Sequence, residues 1–387
     1  MMSRPKLCMV TTSPIVVRFF LIPHLRLLAG RFDVTLVSNS DCSPLLGDLA
    51  GRIRMTIIPV EREISPWHDF KALVQLTKLF FKERFDAVIT VAPKAGLLGI
   101  LAAFFARVPY RCHIFQGEVW ASRRGPMRMV LRLADRVIAH AASEVLVVSA
   151  SERAYLINEN ILSTAGSTVL GSGSICGVDT HRFAPNAVAR AKIRARFNIP
   201  DAARVILFVG RLHRDKGILD LVVAWSRIAG LDPDLHLAIV GPDESDLTPA
   251  IIALAGSAFA SRLHICGLTS APEAWMAACD VLCLPSYREG FGNVIIEAGA
   301  TEVPVVATRI YGIEDALVEN VTGLAYPPGD VQALMGCLIT LLKDAPKRVR
   351  YGQAGREMVV ARFEQSQIVK GYVDHFTQRC LAGARSS

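Results

Sequence analysis

The stretch EGFGNVIIE, Glu289 through Gly290, Phe291, Gly292 and Asn293 to Glu297, decides how this chain reads. Just before it, residues 281–286 (VLCLPS) form a short apolar run of the kind that becomes a buried parallel strand. After it, residues 293–299 read as the start of a helix. The order is therefore strand, glycine loop, helix N-terminus. Two glycines let the backbone approach a ligand closely. Free N–H groups and the helix dipole at that end favour an anion such as phosphate. With a helix starting near Asn293, Glu297 lies one turn further along the same face. A plain βα turn with two solvated glutamates would explain the glycines. It would not explain two carboxylates bracketing them directly after a strand end.

Outward from this point, residues 205–210, 235–241, 263–267 and 303–308 also read as strands with helices between them, which is a doubly wound parallel unit. Residues 208–217, FVGRLHRDKG, follow the first of these strands. Arg211 and Lys216 then stand at a strand's carboxyl end. A guanidinium holds a diphosphate bidentately and an ammonium acts as a point charge. Two solvated basic side chains are the alternative for this loop taken alone. His213 and Arg214 are expected to face solvent.

The N-terminal half repeats the alternation, with strands at 7–10, 34–38, 55–60, 87–91, 113–115, 145–149 and 168–170 and helical stretches such as 70–82. Ligands of such sheets sit at the strands' carboxyl ends, which directs attention to the loops 11–16, 92–97 and 116–125. His113 is expected to be a packed strand residue. A helix fits 127–139, with Met127, Val130, Leu131, Ala134 and Ile138 as its apolar stripe. Arg128, Arg132 and Arg136 recur beside that stripe, with Arg123 and Arg124 just upstream. Either they form a solvated face, or, with Trp120 nearby, a patch facing lipid headgroups or a polyprenyl diphosphate.

At 387 residues, 51% hydrophobic and 20% charged, the chain is long enough for two domains with substantial cores. A net charge of +8 and a pI of 9.1 suit an anionic partner: a nucleotide-sugar, a membrane surface or nucleic acid. Nucleic acid is set aside because no Lys/Arg block is interleaved with aromatics. Nine scattered cysteines, an odd number, point to free thiols in a reducing cytoplasm. No segment reaches the roughly 20 apolar residues of a membrane span; residues 95–106 (AGLLGILAAFFA) are expected to be a buried helix. No metal-ligand spacing is evident, and no metal cofactor is expected.

The Glu-x7-Glu element resembles the signature of the group-one (family four) retaining glycosyltransferases of GT-B fold, in particular those of bacterial polysaccharide and lipopolysaccharide synthesis. The Gly210-Arg211…Lys216-Gly217 element, the strand ends at 239–242 and 265–267, the Gly-Val-Asp…Arg-Phe segment at 177–183 and residues 314–329 match the same family in order. The resemblance implies two facing Rossmann-like domains with a cleft between them: an acceptor-binding domain at 1–185, a donor-binding domain at 186–365, and a tail helix, 366–381, packing back on the first. It implies transfer of a sugar, with retention, from a nucleotide-sugar to a hydroxyl of a glycan or polyprenyl-diphosphate-linked acceptor. Glu289 would position the transferred sugar and Glu297 the ribose. Arg211, Lys216 and the Gly290–Asn293 turn would hold the diphosphate without a metal. The family's Gly-Gly pair after the first strand is here Ser13-Pro14-Ile15, and its middle-strand His is Gln116. Ser13, Gln116 and Glu118 are candidate contacts to the acceptor or transferred sugar. Arg124, Arg128, Arg132 and Arg136 would hold the protein peripherally on the cytoplasmic leaflet of the cell membrane. A sugar-nucleotide 2-epimerase of the same architecture and a non-enzymatic nucleotide-sugar sensor are the competing readings.

Overall fold

The computed structural model describes residues 4–61 and 64–383. The chain folds into two compact units. One is the chain up to Cys176 together with the segment from Ser366; the other is Gly177–Gln365. The division falls ahead of residue 185 because the intervening segment is stitched to the end of the second unit. Val178 N donates to Phe363 O at 2.8 Å, and Gln365 N returns to Val178 O at 2.9 Å. Thr180 Oγ1 donates to Glu364 Oε2 at 2.5 Å.

The first unit is built on seven strands: β1 Lys6–Val10, β2 Asp33–Ser38, β3 Ile53–Ile57, β4 Ala87–Val91, β5 Tyr110–Phe115, β6 Glu144–Val147 and β7 Ser167–Thr168. They lie in the order β3-β2-β1-β4-β5-β6-β7, and every pair is parallel, with Met9 level with both Leu36 and Ile89. The central strands are buried on both faces, which is why they appear in sequence as unbroken apolar runs rather than alternating ones. His113 on β5 lies within this core, its Nδ1 2.8 Å from Thr90 Oγ1. Gly96 makes room for it, since a Cβ there would sit 2.4 Å from the imidazole.

From Ser366 on, the helix Gln365–Gly383 belongs to this unit. Its anchor is Glu144, a buried carboxylate that accepts from Tyr110 Oη at 2.5 Å and Arg379 Nε at 3.0 Å, with His375 Nε2 2.9 Å away. Burial works to raise that carboxyl, but hydrogen bonds from His375, Arg379 and Tyr110 bring it down to about 2.

The second unit carries β8 Arg204–Val209, β9 Leu235–Val240, β10 Leu263–Ile265, β11 Val281–Leu284, β12 Val305–Thr308 and β13 Gly323–Tyr326. Their order is β10-β9-β8-β11-β12-β13, again wholly parallel. The core includes Phe208, Trp225, Leu237, Val281 and Leu338. Strand β13 lies in a stretch that the sequence presents as a loop. Among the described residues, no helix is long and apolar enough to cross a membrane, and every cysteine is a free thiol.

Candidate functional site

In the second unit the chain lays down β8, β9 and β10 in one direction and then places β11 on the other side of β8. Strand order reverses between β8 and β11, and in open parallel sheets ligands bind outside the carboxyl ends at such a reversal. The loops leaving these two strands are the arginine–lysine loop and the EGFG loop. Both elements picked out in the sequence therefore open at the same point of the sheet.

They meet there. Lys216 Nζ lies 2.6 Å from Glu289 Oε1, and Ser286 Oγ donates to the same oxygen at 2.8 Å. The Lys216 and Glu289 side chains are only 17% and 13% exposed, so this pair is screened less than a surface ion pair. Ser286 is buried, and its carbonyl accepts from Thr308 Oγ1 at 2.5 Å.

Backbone geometry makes the approach possible. Gly217 has φ +64°, and a Cβ there would lie 1.9 Å from Pro285 O, so only glycine lets the lysine loop cross the end of β11. Gly312 plays the same part from outside both motifs: its φ is +81°, and a Cβ would lie 2.5 Å from Glu289 O.

Asp215 ties the two loops a second time. Its Oδ2 accepts from Arg288 Nη2 at 2.7 Å, its Oδ1 lies 2.6 Å from His213 Nδ1, and its carbonyl accepts from Tyr287 N at 2.8 Å. Burial alone would raise the Asp215 carboxyl, yet the charges of Arg288 and Lys216 bring it below its usual value. His213, its side chain 43% exposed, reaches solvent while bonded to Asp215, and Arg214 is exposed as expected. Ser286, Asp215 and Arg288 were missed in the sequence because single polar or charged side chains between motif residues have no periodicity of their own.

Arg211, the other expected cation, turns toward the loop after β9, where its Nη1 lies 2.7 Å from Glu244 Oε2. The helix Asn293–Ala300 begins as expected after Gly292. Its first turn satisfies part of itself, however: Asn293 N donates to Phe291 O at 2.7 Å and Ile295 N to Gly292 O at 2.8 Å. That end therefore offers an anion fewer N–H groups than the sequence promised. Phe291 is buried against Phe363, with ring centroids 5.4 Å apart, so it fixes the loop from within. Glu297 sits one turn into the helix. Burial pushes its carboxyl up to about 7, with Arg182 opposing and Glu273 adding to the rise.

The first unit treats its candidates differently. Ser13 Oγ accepts from Ile15 N at 3.2 Å and caps the short helix that follows β1. Gln116 and Glu118 flank Gly117, whose N–H donates to the buried Glu152 carboxylate. Glu118 is itself buried. Burial, then the neighbouring Glu118 charge, raises the Glu152 carboxyl well above its usual value.

The expected arginine patch does not form. Trp120 is buried, and its Nε1 donates to Asp135 Oδ2 at 2.6 Å. Arg128 and Arg132 both lie over its ring, 5.4 Å from the centroid, and reach Glu159 at 3.1 and 2.9 Å. Arg136 Nε donates to Asn160 O at 2.9 Å. The helix Pro126–Ala141 instead presents Met129, Val130 and Leu133 to solvent, at 72%, 57% and 60% exposure. Met127 and Val130, expected inside, are exposed, while Leu131 and Ile138 of the same stripe pack in the core. Of the four arginines, Arg124 remains solvent-facing together with its neighbour Arg123, and Arg136 is exposed while bonded. Among the described residues, no group of three or more His, Cys, Asp or Glu is arranged to hold a metal ion.

Two family models match the chain: "Glycosyl transferases group 1" over residues 189–358 and "Glycosyl transferase 4-like domain" over residues 25–165. Among curated proteins it is similar to the capsular polysaccharide biosynthesis glycosyltransferase CapM of Staphylococcus aureus, with 31% identity over 81% of this chain and 82% of that one. It is also similar to an Escherichia coli UDP-Gal:alpha-D-GlcNAc-diphosphoundecaprenol alpha-1,3-galactosyltransferase, with 28% identity over 81% of each chain. Among solved structures, the Anabaena protein Alr3699/HepE, crystallised with UDP and glucose, matches in fold with a TM-score of 0.81 over 97% of this chain and all of that one, at 20% identity. The chain therefore belongs to the group 1 glycosyltransferases, nucleotide-sugar-dependent enzymes whose GT-B fold class is that of its two Rossmann-like units.

Proposed function

We propose that the protein transfers a hexose from a nucleotide-sugar to a hydroxyl of a glycan or lipid-linked acceptor, with retention of anomeric configuration, in cell-surface polysaccharide synthesis. The observation that supports this most is the Lys216–Glu289 contact of 2.6 Å at the β8/β11 reversal. It sets a cation for a diphosphate beside a carboxylate for sugar hydroxyls. As the glycosidic bond breaks, negative charge grows on the leaving diphosphate. Lys216 and Arg211 stabilise it electrostatically, aided by the turn from Gly290 through Phe291 and Gly292 to Asn293. Glu289 holds the transferred sugar and Glu297 the ribose. The two cations serve in place of a metal ion. In the first unit Gln116 and Glu118, with the loop at Ser13, face the acceptor or transferred sugar. The capsular and diphosphoundecaprenol-linked relatives support an acceptor of the same kind.

Thermal shift against a panel of nucleotide-sugars identifies the donor, since a bound donor stabilises the fold by mass action. That donor is then incubated with and without acceptor glycans. Acceptor-dependent release of nucleoside diphosphate and an α-linked product from an α-linked donor are expected. An epimerised nucleotide-sugar formed without acceptor would establish the 2-epimerase instead, and binding without either product would establish a sensor.

A second reading concerns location. The exposed Met129, Val130 and Leu133 follow the solvent-facing Arg123 and Arg124. Apolar side chains with flanking cations suit the headgroup boundary of an anionic membrane, which would bring the enzyme to a lipid-linked acceptor.

A further inference from the structure

The reading of Arg211 as a diphosphate ligand meets an obstacle in the structure: Glu244 is already there. Its Oε2 lies 2.7 Å from Arg211 Nη1. This contact is set by the backbone, for the loop after β9 is fastened along its length. Asp243 Oδ1 accepts from Ser245 N at 3.2 Å and Leu247 N at 3.0 Å, and Asp243 Oδ2 accepts from Thr248 N at 2.8 Å and Thr248 Oγ1 at 2.6 Å. Leu212 N donates to Pro242 O at 2.8 Å, and Gly210 N to Val240 O at 2.9 Å. The loop is thus tied edge to edge to the residues that flank Arg211. Gly241 permits this approach, since a Cβ there would lie 1.8 Å from Gly210 O. Glu244 is held one residue beyond this anchor, within reach of the guanidinium.

We propose that Glu244 is a competitor for the donor's diphosphate: its carboxylate occupies Arg211 in the unliganded protein and must be displaced when the diphosphate binds. The proposal rests on the assignment of Arg211 to the diphosphate. A carboxylate and a phosphate offer a guanidinium the same kind of acceptor pair, and a dianionic diphosphate wins because it carries more charge. Arg211 and Glu244 are 33% and 23% exposed, so the pair is weak enough to be exchanged. The consequence lies at the end of the reaction. After transfer, the nucleoside diphosphate must leave, and a carboxylate poised to retake Arg211 loosens it. Glu244 thereby trades donor affinity for product release.

The test is calorimetric titration of uridine diphosphate, guanosine diphosphate and inorganic pyrophosphate into the full chain and its variants. Glu244→Gln should tighten whichever diphosphate the wild type binds by about two- to fivefold, the worth of a part-exposed ion pair. Arg211→Ala should weaken the same ligand, and in that background Glu244→Gln should change nothing. Asp246→Asn removes a charge from the same loop at a position whose φ of +50° asparagine tolerates; it should leave affinity unaltered. Weaker or unchanged binding in Glu244→Gln overturns the proposal, as does equal tightening by Asp246→Asn, which would mean a general field effect. If Arg211→Ala leaves affinity untouched, or the wild type binds none of the three, the assignment of Arg211 itself fails. That outcome differs from an Arg211-sensitive site indifferent to Glu244, which sinks the competition alone.

Discussion

The loop 210–217 and the segment 120–136 both set basic side chains on what the sequence presents as surface, and the fold uses them in opposite ways. At the β8/β11 reversal, Arg211 and Lys216 stay at the mouth of the sheet, each against a single carboxylate. In the first unit, Arg128 and Arg132 turn inward and close over Trp120 while sharing Glu159. A cation beside a strand's carboxyl end is held near a place where ligands bind. A cation on a helix has a long apolar stem and can as well serve as a lid on an aromatic ring.

The greatest expected effect separates the two regions most sharply. Glu289→Gln keeps the shape of the side chain and its hydrogen bond to Ser286 while removing the charge that faces Lys216. Turnover should fall about a hundredfold, the size of a lost charge-assisted contact made in the transition state, while the melting temperature changes little. Wild-type turnover in a folded variant would remove Glu289 from the reaction.

Lys216→Ala and Arg211→Ala come next. Each should weaken nucleoside diphosphate binding by about 1.5–3 kcal/mol, read by calorimetry. Unchanged affinity in both would move the diphosphate away from the β8/β11 reversal.

Glu159→Ala acts on the other region. It strips both arginines of their carboxylate, and about 1–2 kcal/mol of stability should be lost, since the pairs are part-buried. Denaturant unfolding measures it, and donor binding should be indifferent. A stable variant with impaired donor binding would mean that the Trp120 cluster serves the site.

A smaller effect follows from Glu297. Its carboxyl is raised from 4.5 to about 7, so the folded chain binds more protons than the unfolded one between those values. Stability therefore declines as pH rises through that window, and the cost is complete above about pH 7. Glu297→Gln should melt higher than wild type at pH 8 and lose most of that advantage at pH 4.5. Parallel pH profiles would show that the carboxyl is not strained by burial.

The sheets were legible in the sequence because the central, doubly buried parallel strands must be continuous apolar runs; twelve strands could be read, the partly buried β3, β7 and β10 among them. The thirteenth strand, Gly323–Tyr326, is a short edge strand that opens on glycine and follows Asn320-Val321-Thr322, where turn chemistry outweighs the apolar signal. The site was legible where glycine and charge coincide at strand ends. Gly312 and Glu244 were not, because each acts from another loop and is brought to the site only by the fold. Periodicity located the helix Pro126–Ala141 and its inward residues Leu131 and Ile138, but placed the exposed Met127 and Val130 on the same inner face. It carries an apolar stripe and a basic stripe side by side, and the hydrophobic period alone chooses the former. Arg128 and Arg132 join that inner side because Asp135, a buried carboxylate on this helix, holds the Trp120 indole over which they lie.

The engagement of Arg128 and Arg132 with Trp120 and Glu159 changes the membrane experiment. If an arginine stripe held the protein to anionic vesicles, Arg128→Gln with Arg132→Gln would release it. With those side chains committed to Trp120 and Glu159, this double variant should float with phosphatidylserine or phosphatidylglycerol vesicles as well as wild type. The segment that faces solvent is Met129, Val130 and Leu133, with Arg123 and Arg124 upstream. Each cation near an anionic surface contributes about 1 kcal/mol, and partial burial of three apolar side chains adds an amount of the same order. Replacing Met129, Val130 and Leu133 by serine should therefore cut flotation several-fold even at high salt. Arg123→Gln with Arg124→Gln should cut it only at low salt, where the attraction is unscreened. Release by the Arg128/Arg132 double variant alone would show that these arginines leave Trp120 at the membrane, and equal flotation of all variants would place the contact elsewhere on the protein.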